Sequence, residues 1–116
     1  MMTFEKVEAA VHWLIDNAKR IGGARRRLVY AERMVDRIKA LEMKRHSELS
    51  VSAQEREAKA SDAYLDAIIE EANAAGEFET LRSERDGYTA MIELFRTMEA
   101  TARRLRDASH ATQPDR

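Results

Sequence analysis

The chain has no cysteine, which excludes disulfides and thiolate-held metal and fits a reducing compartment. One proline and four glycines in 116 residues are too few turn formers for a protein built from many strands. Aromatic residues are scarce, at 6%, so a core has to be thin and made of aliphatic side chains, Ala and Met. Long apolar runs are missing as well. The opening stretch MMTFEKVEAAVHWLIDNAKR is interrupted by Glu5, Lys6, Glu8 and Asp16, the pattern of neither a signal peptide nor a membrane span. A cytoplasmic location is expected. Nor is there an excess of one charge, since the formal net charge is −1.

What remains is a chain of 44% apolar and 35% charged residues, rich in Ala, Glu, Arg and Leu. That composition predicts an all-α protein of long helices. The length corresponds to one domain, expected over residues 1–107, followed by a disordered polar tail, ASHATQPDR, over 108–116.

Apolar positions Phe4, Val7, Val11, Leu14, Ala18 and Ile21 alternate in steps of three and four, the spacing of one helix face. Thr3 fits as its N-cap. A second run, Ala24, Leu28, Ala31, Val35 and Ile38, repeats the rhythm, but the step from Ile21 to Ala24 is three where four was due. Gly22 and Gly23 stand at that join. Two adjacent glycines cost a helix about 2 kcal/mol relative to alanine. A helix over 3–21 is therefore expected to break or kink there before a second helix over about 24–60. Ser52-x-x-Glu55 has capping-box spacing and offers another start, while Ser61 before Asp62 is the preferred site for a turn. A third helix is expected over 62–107, through Leu65, Ile68, Ala72, Ala75, Phe78 and Leu81, then Tyr88, Met91, Phe95, Met98, Ala102 and Leu105.

MKRHSELSVSAQEREAKASDAY, continuing through LRSERDGYTAMIELFRTMEATARR, resembles a group of small helical proteins encoded in tailed-phage and prophage genomes. The likeness covers roughly residues 43–104. Its shared features are the Ser-rich approach, REAKAS before a tyrosine, and the IELFR patch. In that group a proline follows the serine; here Asp62 stands in its place. The resemblance implies a helical hairpin turning near Ser61, and it brings no catalytic motif.

Charge is unevenly distributed. Residues 1–48 hold 11 Lys/Arg against 7 Asp/Glu, residues 49–95 hold 4 against 11, and residues 96–116 hold 5 against 3. A reversal at residue 61 sets Arg56 opposite Asp66, Lys44 and Arg45 near Glu77 and Glu79, and Arg37 near Glu84. It also gathers Lys19, Arg20, Arg25, Arg26, Arg27, Arg96, Arg103, Arg104 and Arg106 at the open end of an elongated antiparallel hairpin. Such a basic mouth is a candidate phosphate-contacting surface for nucleic acid, with salt-dependent affinity and no choice of sequence. A solvated helix face, paired locally as Asp16–Arg20 would be, is the plainer alternative.

The last helix carries a stripe wider than a two-helix seam: Tyr88, Met91, Ile92, Phe95 and Met98. Each large apolar side chain contributes about 1.5–3 kcal/mol when fully buried, so the stripe should find cover. Trp13, Leu14 and Ile15 can supply it if the first helix folds back at the glycine pair to make a three-helix section. A second molecule is the other way.

Other chemistry finds little support. Gly22-Gly23 lacks the spacing and the preceding strand of a phosphate loop. His12, His46 and His110 form no metal pattern beyond a weak Glu42–His46 pair. Asp62, Asp66 and Glu70 lack the alternation and glycine of a calcium loop. No Ser/His/Asp set presents itself, so neither catalysis nor a cofactor is expected. The sequence points to a helical protein–protein interaction module that self-associates, with nucleic-acid binding as the alternative.

Overall fold

The computed structural model describes residues 3–111. Three helices follow one another: α1 over Phe4–Lys44, α2 over Val51–Lys59 and α3 over Asp62–Ala111. The described residues contain no strand. The protein is an all-α helical hairpin in which α1 and α3 pack antiparallel.

Helix α1 begins where Thr3 caps it, with the Lys6 amide donating to Thr3 Oγ1 at 3.2 Å. It then runs unbroken through Gly22-Gly23, and neither glycine has a positive φ. The expected break is corrected by the true seam, which is Val7, Ala10, Leu14, Asn17, Ile21, Ala24, Leu28, Ala31, Val35 and Ile38. Every one of these residues is buried or half-buried. Their steps alternate three and four throughout, so Ile21 to Ala24 is the three that was due. The apparent slip arose from placing Val11 and Ala18 on the seam; their neighbours Ala10 and Asn17 are there instead. With the seam in phase on both sides, packing outweighs the weak helix propensity of the glycine pair.

The chain reverses at residues 45–50 rather than at Ser61. Three short-range bonds tighten it there: Arg45 N to Glu42 O at 3.2 Å, His46 N to Met43 O at 3.0 Å and Leu49 N to His46 O at 3.0 Å. Ser50 caps α2 by accepting from the Ala53 amide, and the Gln54 side-chain amide donates to Leu49 O at 2.8 Å. Lys39 then meets Glu55 at 2.9 Å, so α2 already lies beside α1. At Ser61 the returning arm is only interrupted. The Ser61 hydroxyl donates to Ala58 O at 2.7 Å and accepts from the Tyr64 amide at 3.2 Å, closing one helix and capping the next. The expected helix over 24–60 is thus the second part of α1, a turn and α2. The expected N-terminal helix over 3–21 is the first part of α1, lying directly along α3 without folding back into a third layer.

On α3 the seam runs Tyr64, Ala67, Glu71, Ala74, Phe78, Leu81, Arg85, Tyr88, Ile92 and Phe95, all buried or half-buried. Leu65 and Ile68, expected inside, are 54% and 41% exposed. The stripe drawn through them was one residue out of phase.

The residues cluster into two compact units: one of the chain up to Ala18 with Ser83 onward, the other of Lys19–Arg82. In the first, Val7 and Ala10 are buried, and Trp13 packs against Tyr88 with ring centroids 4.8 Å apart and planes tilted by 35°. In the second, Ile21, Ala24, Ala31, Ala58, Ala74 and Leu81 are buried. Alanine at these contacts lets helix backbones approach closely, but it also keeps the buried volume small. Residues 108–111 of the expected disordered tail form the end of α3; residues 112–116 lie outside the described residues.

Candidate interaction surface

In the Lys19–Arg82 unit the charge gradient of the sequence becomes internal pairing. Residues 19–44 carry nine Lys/Arg and three Asp/Glu, whereas residues 51–82 carry three and eight. Antiparallel packing lays the basic stretch along the acidic one. The Arg27 guanidinium donates to Glu70 at 2.7 Å and also to Glu77. Hydrogen bonding to Glu70, chiefly, raises the Arg27 pKa. Glu55 accepts from Lys39 at 2.9 Å and pairs with Lys59 at 3.2 Å. The hydrogen bond from Lys39, then that from Lys59, holds the Glu55 carboxyl below its ordinary range, and Lys39 is raised by the same contact. Arg25 lies over the Phe78 ring at 5.5 Å, a cation–π distance.

These contacts replace the pairs drawn from a reversal at Ser61. Arg45 reaches Glu42 at 3.4 Å rather than Glu77 or Glu79. The opposition of Arg26 and Arg96 rested on the same turn and goes with it. The nine candidate basic residues divide between the units: Lys19, Arg20, Arg25, Arg26 and Arg27 belong to the second, and Arg96, Arg103, Arg104 and Arg106 to the first. Arg96 pairs with Glu93 at 3.2 Å. Arg103, Arg104 and Arg106 are exposed.

The candidate apolar interface lies in the first unit. Trp13, Tyr88, Met91, Ile92 and Phe95 are half-buried there, and Met98 is 49% exposed. The first helix does cover the stripe, but only up to a point fixed by register. Phe4 lies nine residues before Trp13, and nine residues after its partner Tyr88 comes Thr97. Beyond about residue 98, α3 therefore extends past the start of α1. Every side chain from Arg103 to Ala111 is exposed, Leu105 at 67%.

A second apolar feature lies in the other unit. Tyr30, Met34 and Ile38 on α1 and Ala67 on α3 line an open groove of about 410 Å³, bordered by Asp66 and Glu70. Tyr30 is 66% exposed. Sequence reading missed both the groove and the overhang. The overhang depends on the alignment of the two seams, and the groove on which turns face each other across the hairpin; neither leaves a mark in the apolar spacing.

Among the described residues no three His, Asp or Glu side chains converge to hold a metal ion, and no helix is long and apolar enough to cross a membrane. Glu42 and His46 do not join at a site: Glu42 is beside Arg45, while His46 Nδ1 lies 3.9 Å from Glu48. The arrangement offers exposed apolar surfaces for association. Comparison with protein-family models, curated proteins and solved structures finds no match to the chain.

Proposed function

We propose that this protein is a non-enzymatic interaction module that associates with copies of itself, an accessory or regulatory factor of the phage type its sequence resembles. One observation carries the reading. The completely covered side chains are alanines, Ala10, Ala58 and Ala74, whereas Phe4, Ile15, Tyr30, Leu65, Met98 and Leu105 are each about half exposed or more. Burying a large apolar side chain stabilises by about 1.5–3 kcal/mol, so a handful of them supplies a strong drive to associate. Sedimentation equilibrium from low to high micromolar concentration tests this. A concentration-dependent rise above the 13.3 kDa monomer mass is the expected result, and a monomer throughout overturns it.

Nucleic-acid binding stands as the second reading, favoured by the exposed Arg103, Arg104 and Arg106 at the end of α3. The internal pairing of Arg27 weakens the share of the Arg25–Arg27 cluster in it. DNA and RNA titrations at low and high salt, with Arg103/Arg104/Arg106→Ala beside Arg25/Arg26/Arg27→Ala, separate the two clusters. Binding indifferent to salt and to both triple variants removes this reading.

A further inference from the structure

We infer that self-association, as proposed above, proceeds by seating the end of α3 from one copy in the Tyr30–Met34–Ile38 groove of a second copy. Three observations on opposite parts of the chain fit together. First, the overhang presents Leu105, 67% exposed, with no helix of its own chain beside it, and Met98, 49% exposed, at its base beside the start of α1. They are seven residues apart, about 10.5 Å along a helix. The α1 wall of the groove from Tyr30 to Ile38 spans eight residues, about 12 Å. An amphipathic helix with two anchors at that spacing matches a groove of that length.

Second, the α3 side of the groove offers acids to the basic overhang. Residues 60–81 hold six Asp/Glu and no Lys or Arg, whereas residues 94–106 hold four Arg and one Glu. Asp66, on the border of the groove, has no ion-pair partner among the described residues, and Arg103, Arg104 and Arg106 surround Leu105. Third, the same charges disfavour the simplest competing arrangement. Two α3 ends laid against each other would bring their Arg clusters together, and like charges at helix contacts are repulsive. One copy therefore supplies an apolar stripe bordered by cations to an apolar groove of the other, whose α3 border offers Asp66 beside a Glu70 already paired with Arg27.

The absence of cysteine makes crosslinking a clean test. Full-length Met34→Cys and Leu105→Cys proteins are mixed, re-equilibrated and mildly oxidised, and the disulfide-linked species are weighed by mass spectrometry. The mixed Met34→Cys/Leu105→Cys species is expected in clear excess over its statistical share. In parallel, Asp66→Lys should weaken association about tenfold and Arg104→Glu likewise, with the double reversal restoring it. A predominance of Leu105→Cys homodimer, or a statistical mixture, overturns the tail-in-groove contact; so does association indifferent to Asp66→Lys. If the unmodified protein is monomeric at every concentration, self-association itself falls. If it is oligomeric but the mixed species does not form, only the proposed contact falls.

Discussion

Replacing Gly22 and Gly23 with alanine tests the continuity of α1 most directly. Both positions are helical, neither has a positive φ, and a Cβ built at either meets no heavy atom within 4 Å. Alanine adds no clash and no contact there, so its effect comes through backbone propensity and the lost freedom of the unfolded chain. Each exchange in a helix interior is worth about 1 kcal/mol, and the pair about 2 kcal/mol. The unfolding entropy is about 2.1 cal/mol/K per residue, or roughly 0.24 kcal/mol/K for a chain of 116 residues. The double variant should therefore melt about 8 °C higher. Circular dichroism at 222 nm, with both proteins at one concentration so that association shifts neither alone, gives the number. If the glycines were a hinge between two helices, alanine would oppose the bend. An unchanged or lowered melting temperature would therefore refute the unbroken helix.

Other substitutions separate further contacts. Trp13→Ala removes a half-buried ring packed against Tyr88 and should cost about 2 kcal/mol in urea unfolding, with Trp13→Leu recovering roughly half; full recovery by leucine would mean the ring contact adds nothing beyond apolar area. Ser61→Ala removes the cap accepting from Tyr64 N and should cost about 1 kcal/mol, with faster hydrogen exchange at the Tyr64 amide than in the parent. Glu55 has a folded-state pKa below its unfolded value of about 4.3, so its contribution is present above that pH and is lost as pH falls through the folded pKa. Glu55→Gln should therefore show a shallower loss of melting temperature between about pH 5 and pH 3, and an identical acid limb would sink the assignment.

The composition and apolar periodicity made the helices and their antiparallel arrangement legible, because a seam repeating every three and four residues admits little else. Where they begin and end was less so. Val11 and Ala18 stand one residue beyond Ala10 and Asn17, and reading the larger side chain onto the seam shifted the phase enough to invent a slip at the glycines. The same preference for bulk chose Leu65 and Ile68 over Tyr64 and Ala67. The reversal at 45–50 contains no glycine or proline; its backbone groups are met by short-range bonds and by Gln54, which leave no compositional mark. Ser61 gave a genuine capping signal, but a cap marks a helix start and carries no information about the direction in which the next helix runs. The candidate basic surface inherited that error, since every cross-chain pairing was counted from the wrong turn.

A seam with a uniform seven-residue repeat leaves one matter open that the apolar pattern cannot decide, because sliding α1 along α3 by seven residues again sets apolar against apolar. The exceptions to the pattern are what distinguish one alignment from the next. Asn17 and Arg85 are both half-buried seam positions in the first unit. With Trp13 beside Tyr88, the turn of α1 carrying Asn17 comes level with the turn of α3 carrying Arg85. The Asn17 amide nitrogen donates to Trp13 O at 2.9 Å, and Arg85 Nε donates to Asp86 at 3.3 Å. Polar groups thus share one layer and keep partners. A slip of seven residues would set Asn17 against an apolar seam residue such as Ile92 and part the polar layer it shares with Arg85, although its bond to Trp13 O lies within α1 and would move with the helix. The pairing of Trp13 with Tyr88, two large rings that meet in one alignment and part in the next, marks the register directly and with it how far α3 extends beyond α1.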